Sequence, residues 1–228
     1  MIFAGYVWLT LPDVSGLKNK NPKTTAVIEQ RKYEAKAKKK HFRIRQNWIR
    51  FNQIPDLFKK AVRISEDSAF YSHEGIDYDE LSEAIKDNLK SRKIKRGAST
   101  ITQQLAKNLY LSTDRSFIRK FREYFITRRL ESKLSKNRIF NLYLNVIEFG
   151  PGIYGVEAAS KYYFNKSATY LTLEEMVRLT AVIPKPLIVR PDRKNRWFYW
   201  RCRWITKTLR RYNYIDQSSC NNLLQAFK

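Results

Sequence analysis

Residues 97–111 read GASTITQQLAKNLYL, and they carry both the start signal and the period of an amphipathic helix. Thr100 followed by Gln103 fits a capping box, in which each side chain takes up a backbone N–H that the first helical turn leaves unpaired. Ile101, Leu105 and Leu109 fall on one stripe, and Gln103, Gln104 and Lys107 on the opposite one. The sequence on either side agrees with helix. Upstream, a helix starts at Pro55, a good first-turn residue, with Leu57, Phe58, Ala61, Val62 and Ile64 on its inner face. Downstream, a helix over about 116–134 is predicted to carry Phe117, Phe121 and Phe125 inward. The next is predicted from Ser135 to Phe149, stopping at Gly150-Pro151. Thr172 and Glu175 cap a further one, which Pro184 ends. Residues 41–45 instead alternate His41, Arg43 and Arg45 with Phe42 and Ile44, which predicts an extended segment with one basic face. With no strand-rich block and no fixed-period repeat, the fold class is mainly α.

The chain has 228 residues, enough for one sizeable domain, and 43% of them are apolar, which excludes global disorder. There are 45 Lys+Arg against 21 Asp+Glu, a formal net charge of +24. Such a field recruits polyanions: nucleic acid, an anionic membrane surface or phosphorylated substrates. Cys202 and Cys220 have no metal-ligand spacing, and two cysteines exclude a disulfide framework. His41 and His73 are too few for a structural zinc site without carboxylates.

Residues 1–11 form an apolar segment, read as the end of a membrane anchor or as an interfacial arm. It lacks the charge and the cleavage site of a standard signal peptide. Residues 12–30, with Pro12, Gly16 and Pro22, read as a linker, and 31–228 as the catalytic domain. Residues 31–63 hold twelve basic and two acidic side chains, and 86–96 form a second basic stretch.

Taken singly, Glu66 reads as a solvated carboxylate at a helix end, and His73 as a packing or turn histidine. Their grouping points elsewhere. Glu66, Asp67, Phe70, His73 and Gly75 form E-D-x-x-F-x-x-H-x-G. The block at 97–108 follows, then RKFRE at 119–123, then LYLNVIEFGPGIYGVEAA at 142–159. In order and spacing these four blocks resemble the peptidoglycan glycosyltransferases of glycosyltransferase family 51, specifically the monofunctional biosynthetic transglycosylases. The resemblance runs from about Leu9 to Arg211. The family's usual G-G-S-T stands here as Gly97-Ala98-Ser99-Thr100.

The resemblance implies a lysozyme-like, mostly helical fold with a small membrane-facing lobe. It implies polymerisation of lipid II into glycan strands, with loss of undecaprenyl pyrophosphate, for cell wall biosynthesis. By motif, Glu66 is similar to the family's catalytic base, and Glu123 to its second essential carboxylate. His73, Ser99, Thr100, Gln103, Gln104, Lys107, Asn108, Arg115, Arg119 and Lys120 match substrate-binding positions that line the pyrophosphate and sugar sites. Glu123 would either orient the cations beside it or bind Mg²⁺ or Mn²⁺; no organic cofactor is implied. Implied partners are lipid II, the lipid-linked glycan chain, an anionic membrane surface and other cell-wall synthases. The implied location is the cytoplasmic (inner) membrane, with the catalytic domain on its periplasmic or outer face.

The chemistry of these residue types agrees. Glycosyl transfer to a sugar hydroxyl needs a base to take the proton as the bond forms. Partial burial beside Phe70 is expected to keep Glu66 basic among so many cations. His73 is expected to brace the turn after Glu66 by hydrogen bonding. A diphosphate leaving group needs cations more than it needs an acid, and Lys107, Arg115, Arg119 and Lys120 supply them. On the residues alone, Glu123 reads equally as half of an ion pair with Arg119 and Lys120, four and three residues before it. The 103–104–107 stripe likewise reads as the wet face of a helix, and Asn145 and Glu148 as supporting groups.

Two rival functions make different demands on the sequence. A lysozyme-like glycan-cleaving enzyme would show an acidic pair in its cleft rather than a row of cations beside the base. A nucleic-acid-binding protein would use the charge and the Arg/Trp-rich residues 196–204, but gives no reason for the Glu66 motif. No nucleic acid is therefore expected as a partner. SGLK at 15–18 matches the transpeptidase S-x-x-K pattern, but no K-T-G accompanies it, so the chain is read as monofunctional.

Overall fold

A computed structural model describes residues 10–91, 98–114 and 116–228. Most of the apolar N-terminal segment, the basic residues 92–96, Gly97 and Arg115 lie outside the described residues. Helices dominate, in the order α1 (Ala26–Ala37), α2 (Asp56–Glu66), α3 (Tyr78–Ser91), α4 (Ile101–Tyr110), α5 (Phe117–Lys133), α6 (Lys136–Val146), α7 (Val156–Phe164), α8 (Leu173–Val182), α9 (Arg196–Arg211) and α10 (Gln217–Ala226). Three short strands, β1 (Arg45–Gln46), β2 (Glu148–Gly150) and β3 (Ile153–Tyr154), form a sheet in the order β1-β3-β2. The chain divides into two compact units, each built from two stretches: Met1–Lys40 with Ala69–Tyr143, and His41–Ser68 with Leu144–Lys228.

The first unit is organised on α4, whose start is fixed as predicted. Thr100 Oγ1 accepts from the Gln103 N–H at 3.2 Å, and Gln103 Oε1 accepts from the Thr100 N–H at 3.0 Å. Ile101, Leu105 and Ala106 are fully buried, and the helix packs on α1 and α5. The stripe read as wet is only partly so. Gln103 of that stripe is buried and used in the cap; next to the stripe, Asn108 is also buried, and its Nδ2 donates to the Gln104 carbonyl at 2.8 Å.

Helix α5 inverts the expected face. Phe117 is 97% exposed and Phe121 is exposed, while Glu123, Ile126, Thr127 and Leu130 are buried. A carboxylate can occupy the inner face because cations on its own helix neutralise it, as described below. The stretch 12–30, expected to be a linker, is packed structure: Val14, Val27 and Ile28 are buried, and Thr25 caps α1. Its carbonyls explain how so polar a stretch can be held. Arg129 Nη1 donates to the Pro12 carbonyl at 3.2 Å, and Arg138 Nε to the Leu17 carbonyl at 2.7 Å.

In the second unit α2 buries Phe58, Ala61, Val62 and Ile64, as its period predicts, and packs on α8 and α9. The core continues through Val177, Phe198, Cys202, Ile205 and Leu209 to Leu223 and Phe227 of the C-terminal segment. Both cysteines are free and buried. Thr172 and Glu175 form the predicted capping box of α8. The helix expected to reach Phe149 ends at Val146, and 148–150 become β2. Strand β3 captures them, pairing antiparallel with β2 and parallel with β1. The turn closing on α7 needs glycine: Gly155 has φ +81°, and a Cβ there would lie 2.5 Å from the Asn145 carbonyl oxygen. Asn145 itself is fully buried. Its Oδ1 accepts from the Ile49 N–H at 2.8 Å and its Nδ2 donates to the Ile49 carbonyl at 3.1 Å, so one amide side chain pairs like a strand neighbour.

Candidate active site

Glu66 is the last residue of α2, followed by Asp67 in an extended conformation at φ −167°. In its own unit, the structure puts a guanidinium and a hydroxyl on this carboxylate. Arg201 Nη2 donates to Glu66 Oε1 at 2.8 Å and to Ser65 Oγ at 2.7 Å, and Ser65 Oγ donates to Glu66 Oε1 at 3.2 Å. The Glu66 side chain is 9% exposed. Phe70, expected as the apolar wall, belongs to the first unit. There its ring lies 5.4 Å from Phe140, edge-on to His73, and under Lys136 Nζ at 4.6 Å.

The turn after Phe70 joins the first two sequence blocks. His73 Nδ1 accepts from the Gly75 N–H at 3.0 Å, a bond within its own turn. Gly75 has φ +92°, and a Cβ there would meet Thr127 Cγ2 at 2.7 Å and Glu131 Cγ at 2.9 Å. Only glycine fits this backbone and this space. Its carbonyl accepts from Thr100 Oγ1 at 2.6 Å, so the cap of α4 is tied to the end of the Glu66 motif. Thr100 and Gln103, candidates for substrate contact, are thus engaged in local structure. Gln104 is more open: Oε1 accepts from Tyr143 OH at 3.0 Å, and Nε2 lies 3.5 Å from the Ser99 carbonyl. Ser99 is exposed and Lys107 half-buried.

Glu123 is 3% exposed and carries two cations of its own helix. Arg119 Nη1 donates to Oε2 at 2.6 Å, and Lys120 Nζ donates to Oε1. Arg119 Nε also donates to the Asp114 carbonyl at 2.6 Å. This is the intrahelical pairing the spacing allowed. A divalent ion on Glu123 would have to displace a cation from the carboxylate and sit beside both positive charges. As arranged, these residues do not fit a metal ion. They fit a carboxylate that fixes two cations.

Arg201 and Ser65 are the site residues that sequence reasoning missed. A signal existed: Arg201 lies three residues after Phe198 and four before Ile205, both fully buried, so it sits at the edge of the α9 core face.

The chain belongs to the transglycosylase family, whose sequence model matches residues 33–210. The fold class expected from the resemblance, mainly helical and lysozyme-like, stands. Three relatives, each called a biosynthetic peptidoglycan transglycosylase, are similar over most of their length. One from Herminiimonas arsenicoxydans is 44% identical over 74% of this chain and 73% of its own. One from Thiobacillus denitrificans is 41% identical over 88% and 83%. One from Neisseria gonorrhoeae is 41% identical over 77% and 75%.

Proposed function

We propose that the protein is a peptidoglycan glycosyltransferase that polymerises lipid II and releases undecaprenyl pyrophosphate in building the cell wall. The observation that carries the reading is a largely buried Glu66 at the end of α2, bound by Arg201, in a chain of this family. In the reaction the acceptor sugar hydroxyl attacks the anomeric carbon of the donor, and the bond from that carbon to the diphosphate oxygen breaks. The hydroxyl proton passes to Glu66 Oε2, and the negative charge leaves with the diphosphate. Lys107, Arg119 and Lys120 are assigned to that charge, with Glu123 keeping the last two oriented. Arg115 is proposed to join them by its motif position alone. Ser99 and Gln104 are assigned to polar contacts with the substrate; no step is routed through a divalent metal.

The exposed apolar surface of the first unit supports a lipid-facing role. Phe117, Ile118, Phe121 and Tyr124 line a groove of about 630 Å³ on α5, and Tyr78, Ile85 and Leu89 are exposed on α3. Soluble surfaces seldom leave so much apolar area in water. No described helix is long and apolar enough to cross a membrane. We place the catalytic domain on the outer face of the cytoplasmic membrane, where lipid-linked substrate and anionic headgroups are together.

The test is polymerisation of purified lipid II in detergent by the wild type, Glu66→Gln and Glu123→Gln, with Mg²⁺ or with a chelator. The wild type is expected to make long glycan under both conditions, and Glu66→Gln to lose about 10²-fold or more. A folded wild type that makes no glycan overturns the function. An active Glu66→Gln overturns the base.

A further inference from the structure

We propose that Arg201 is the positioning residue of Glu66, holding the carboxylate in one orientation for glycosyl transfer. The proposal rests on the reading of Glu66 as the base. Its ground is a closed triangle: Arg201 Nη2 reaches Glu66 Oε1 at 2.8 Å and Ser65 Oγ at 2.7 Å, and Ser65 Oγ reaches the same Oε1 at 3.2 Å. Two of its members are neighbours on α2, and the third comes from α9, 135 residues after Glu66. Phe198, Cys202 and Ile205, all fully buried, fix the register of α9, and the guanidinium carbon lies 5.5 Å from the Trp204 ring centroid. The guanidinium is therefore set by the core before it meets the carboxylate.

A largely buried ion pair is poor evidence of a stabilising purpose, because apolar residues of like volume commonly do as well. The geometry here is also not the most stabilising one. A guanidinium offers two parallel donors to a carboxylate. Here Nη2 meets Glu66, while Nε, on the same edge of the fork, is buried with no partner among the described residues. Such an orphan donor costs stability. What the one-pronged contact does achieve is control of a single oxygen. Oε1 is held by two donors, one from its own helix and one from α9, which fixes the plane in which the carboxylate lies. This gives a role to the Arg/Trp-rich stretch 196–204 without nucleic acid.

The experiment compares Arg201→Ala and Arg201→Lys with the wild type in full chains on purified lipid II, with folding followed by circular dichroism. Arg201→Ala is expected to lower kcat about 10²-fold with KM changed less than about twofold, the signature of a misplaced group rather than lost substrate binding. Arg201→Lys keeps the charge without the planar fork and is expected to recover about tenfold of that loss. Added guanidinium ion is expected to restore part of the Arg201→Ala rate. In a Glu66→Gln background, Arg201→Ala is expected to have no further effect. If Arg201→Ala does not fold, the same kcat and KM split is read on Arg201→Gln. A kcat within about threefold of wild type, a loss carried by KM, or full additivity with Glu66→Gln overturns the proposal. An inactive Glu66→Gln beside a normal Arg201 variant removes the positioning role alone. An active Glu66→Gln removes the base itself.

Discussion

Thr100 lies in a motif that resemblance assigns to substrate, yet its hydroxyl is engaged twice within the protein. It accepts from the Gln103 N–H at 3.2 Å and donates to the Gly75 carbonyl at 2.6 Å. Replacing Thr100 by Ala removes an N-cap, worth about 1 kcal/mol. It also orphans a buried carbonyl, which costs about 1–3 kcal/mol. Thr100→Ala should therefore destabilise by about 2–4 kcal/mol in all. Thr100→Ser keeps both hydrogen bonds and deletes one methyl, so it should lose no more than about 1 kcal/mol. The assay is the urea midpoint at unchanged slope for wild type and both variants. It is paired with kcat and KM on lipid II below the onset of unfolding. On this reasoning the activity of Thr100→Ala per folded molecule falls through disorder of the Gly75 turn, and Thr100→Ser behaves as wild type. An Ala variant within about 0.5 kcal/mol of wild type would refute the structural account. So would a Ser variant as unstable as the Ala variant.

Two other outcomes follow. Phe117→Asp with Ile118→Asp should sharply reduce co-sedimentation with anionic liposomes while leaving the far-ultraviolet spectrum unchanged, because both side chains are exposed; unchanged liposome binding would argue against a lipid-facing α5. Burial pushes the Glu157 carboxyl up, but the Ala168 N–H, Lys161 and Ser167 outweigh it and hold it below its ordinary value of 4.5. The folded state thus binds this proton less readily than the unfolded one, so the contribution to stability is full above pH 4.5 and lost as pH falls through the lowered value. Wild type should exceed Glu157→Gln in thermal midpoint at pH 7, and that gap should close in acid; a gap independent of pH would remove the ion-pair account.

Local signals were legible and distant ones were not. The capping boxes at Thr100 and Thr172 and the inner face of α2 could be read because each depends on residues within one or two turns. The face of α5 could not. Phe117, Phe121 and Phe125 make the stronger apolar stripe, and the usual inference puts such a stripe inside. What reverses it is that Arg119 and Lys120 neutralise Glu123, so the inner face accepts a carboxylate and the aromatic face is left exposed. The end of α6 was equally hidden. Ile147 and Phe149 continue a helical apolar pattern, but β3 supplies ladder partners that only the folded chain brings near. In the candidate site the motifs located Glu66, His73 and Glu123. Arg201 carries no motif of its own, and its meaning comes from a register set by Phe198 and Ile205. The linker reading of 12–30 failed for a related reason: polar, turn-rich sequence is also what a segment looks like when arginines from far along the chain hold its carbonyls.

The pairing of Arg201 with Glu66 also has a temporal side. Glu66 leaves the ribosome early, on a helix whose inner face is covered by α8 and α9, and its guanidinium partner is synthesised 135 residues later. The first unit has all its stretches once residue 143 has emerged, whereas the second draws on Phe227 for its core. Vectorial synthesis therefore delivers the Arg119, Lys120 and Glu123 cluster of α5 with all stretches of its unit well before Glu66 meets its guanidinium partner. The nascent chain completes the ion pairs of Glu123 before it completes that of Glu66.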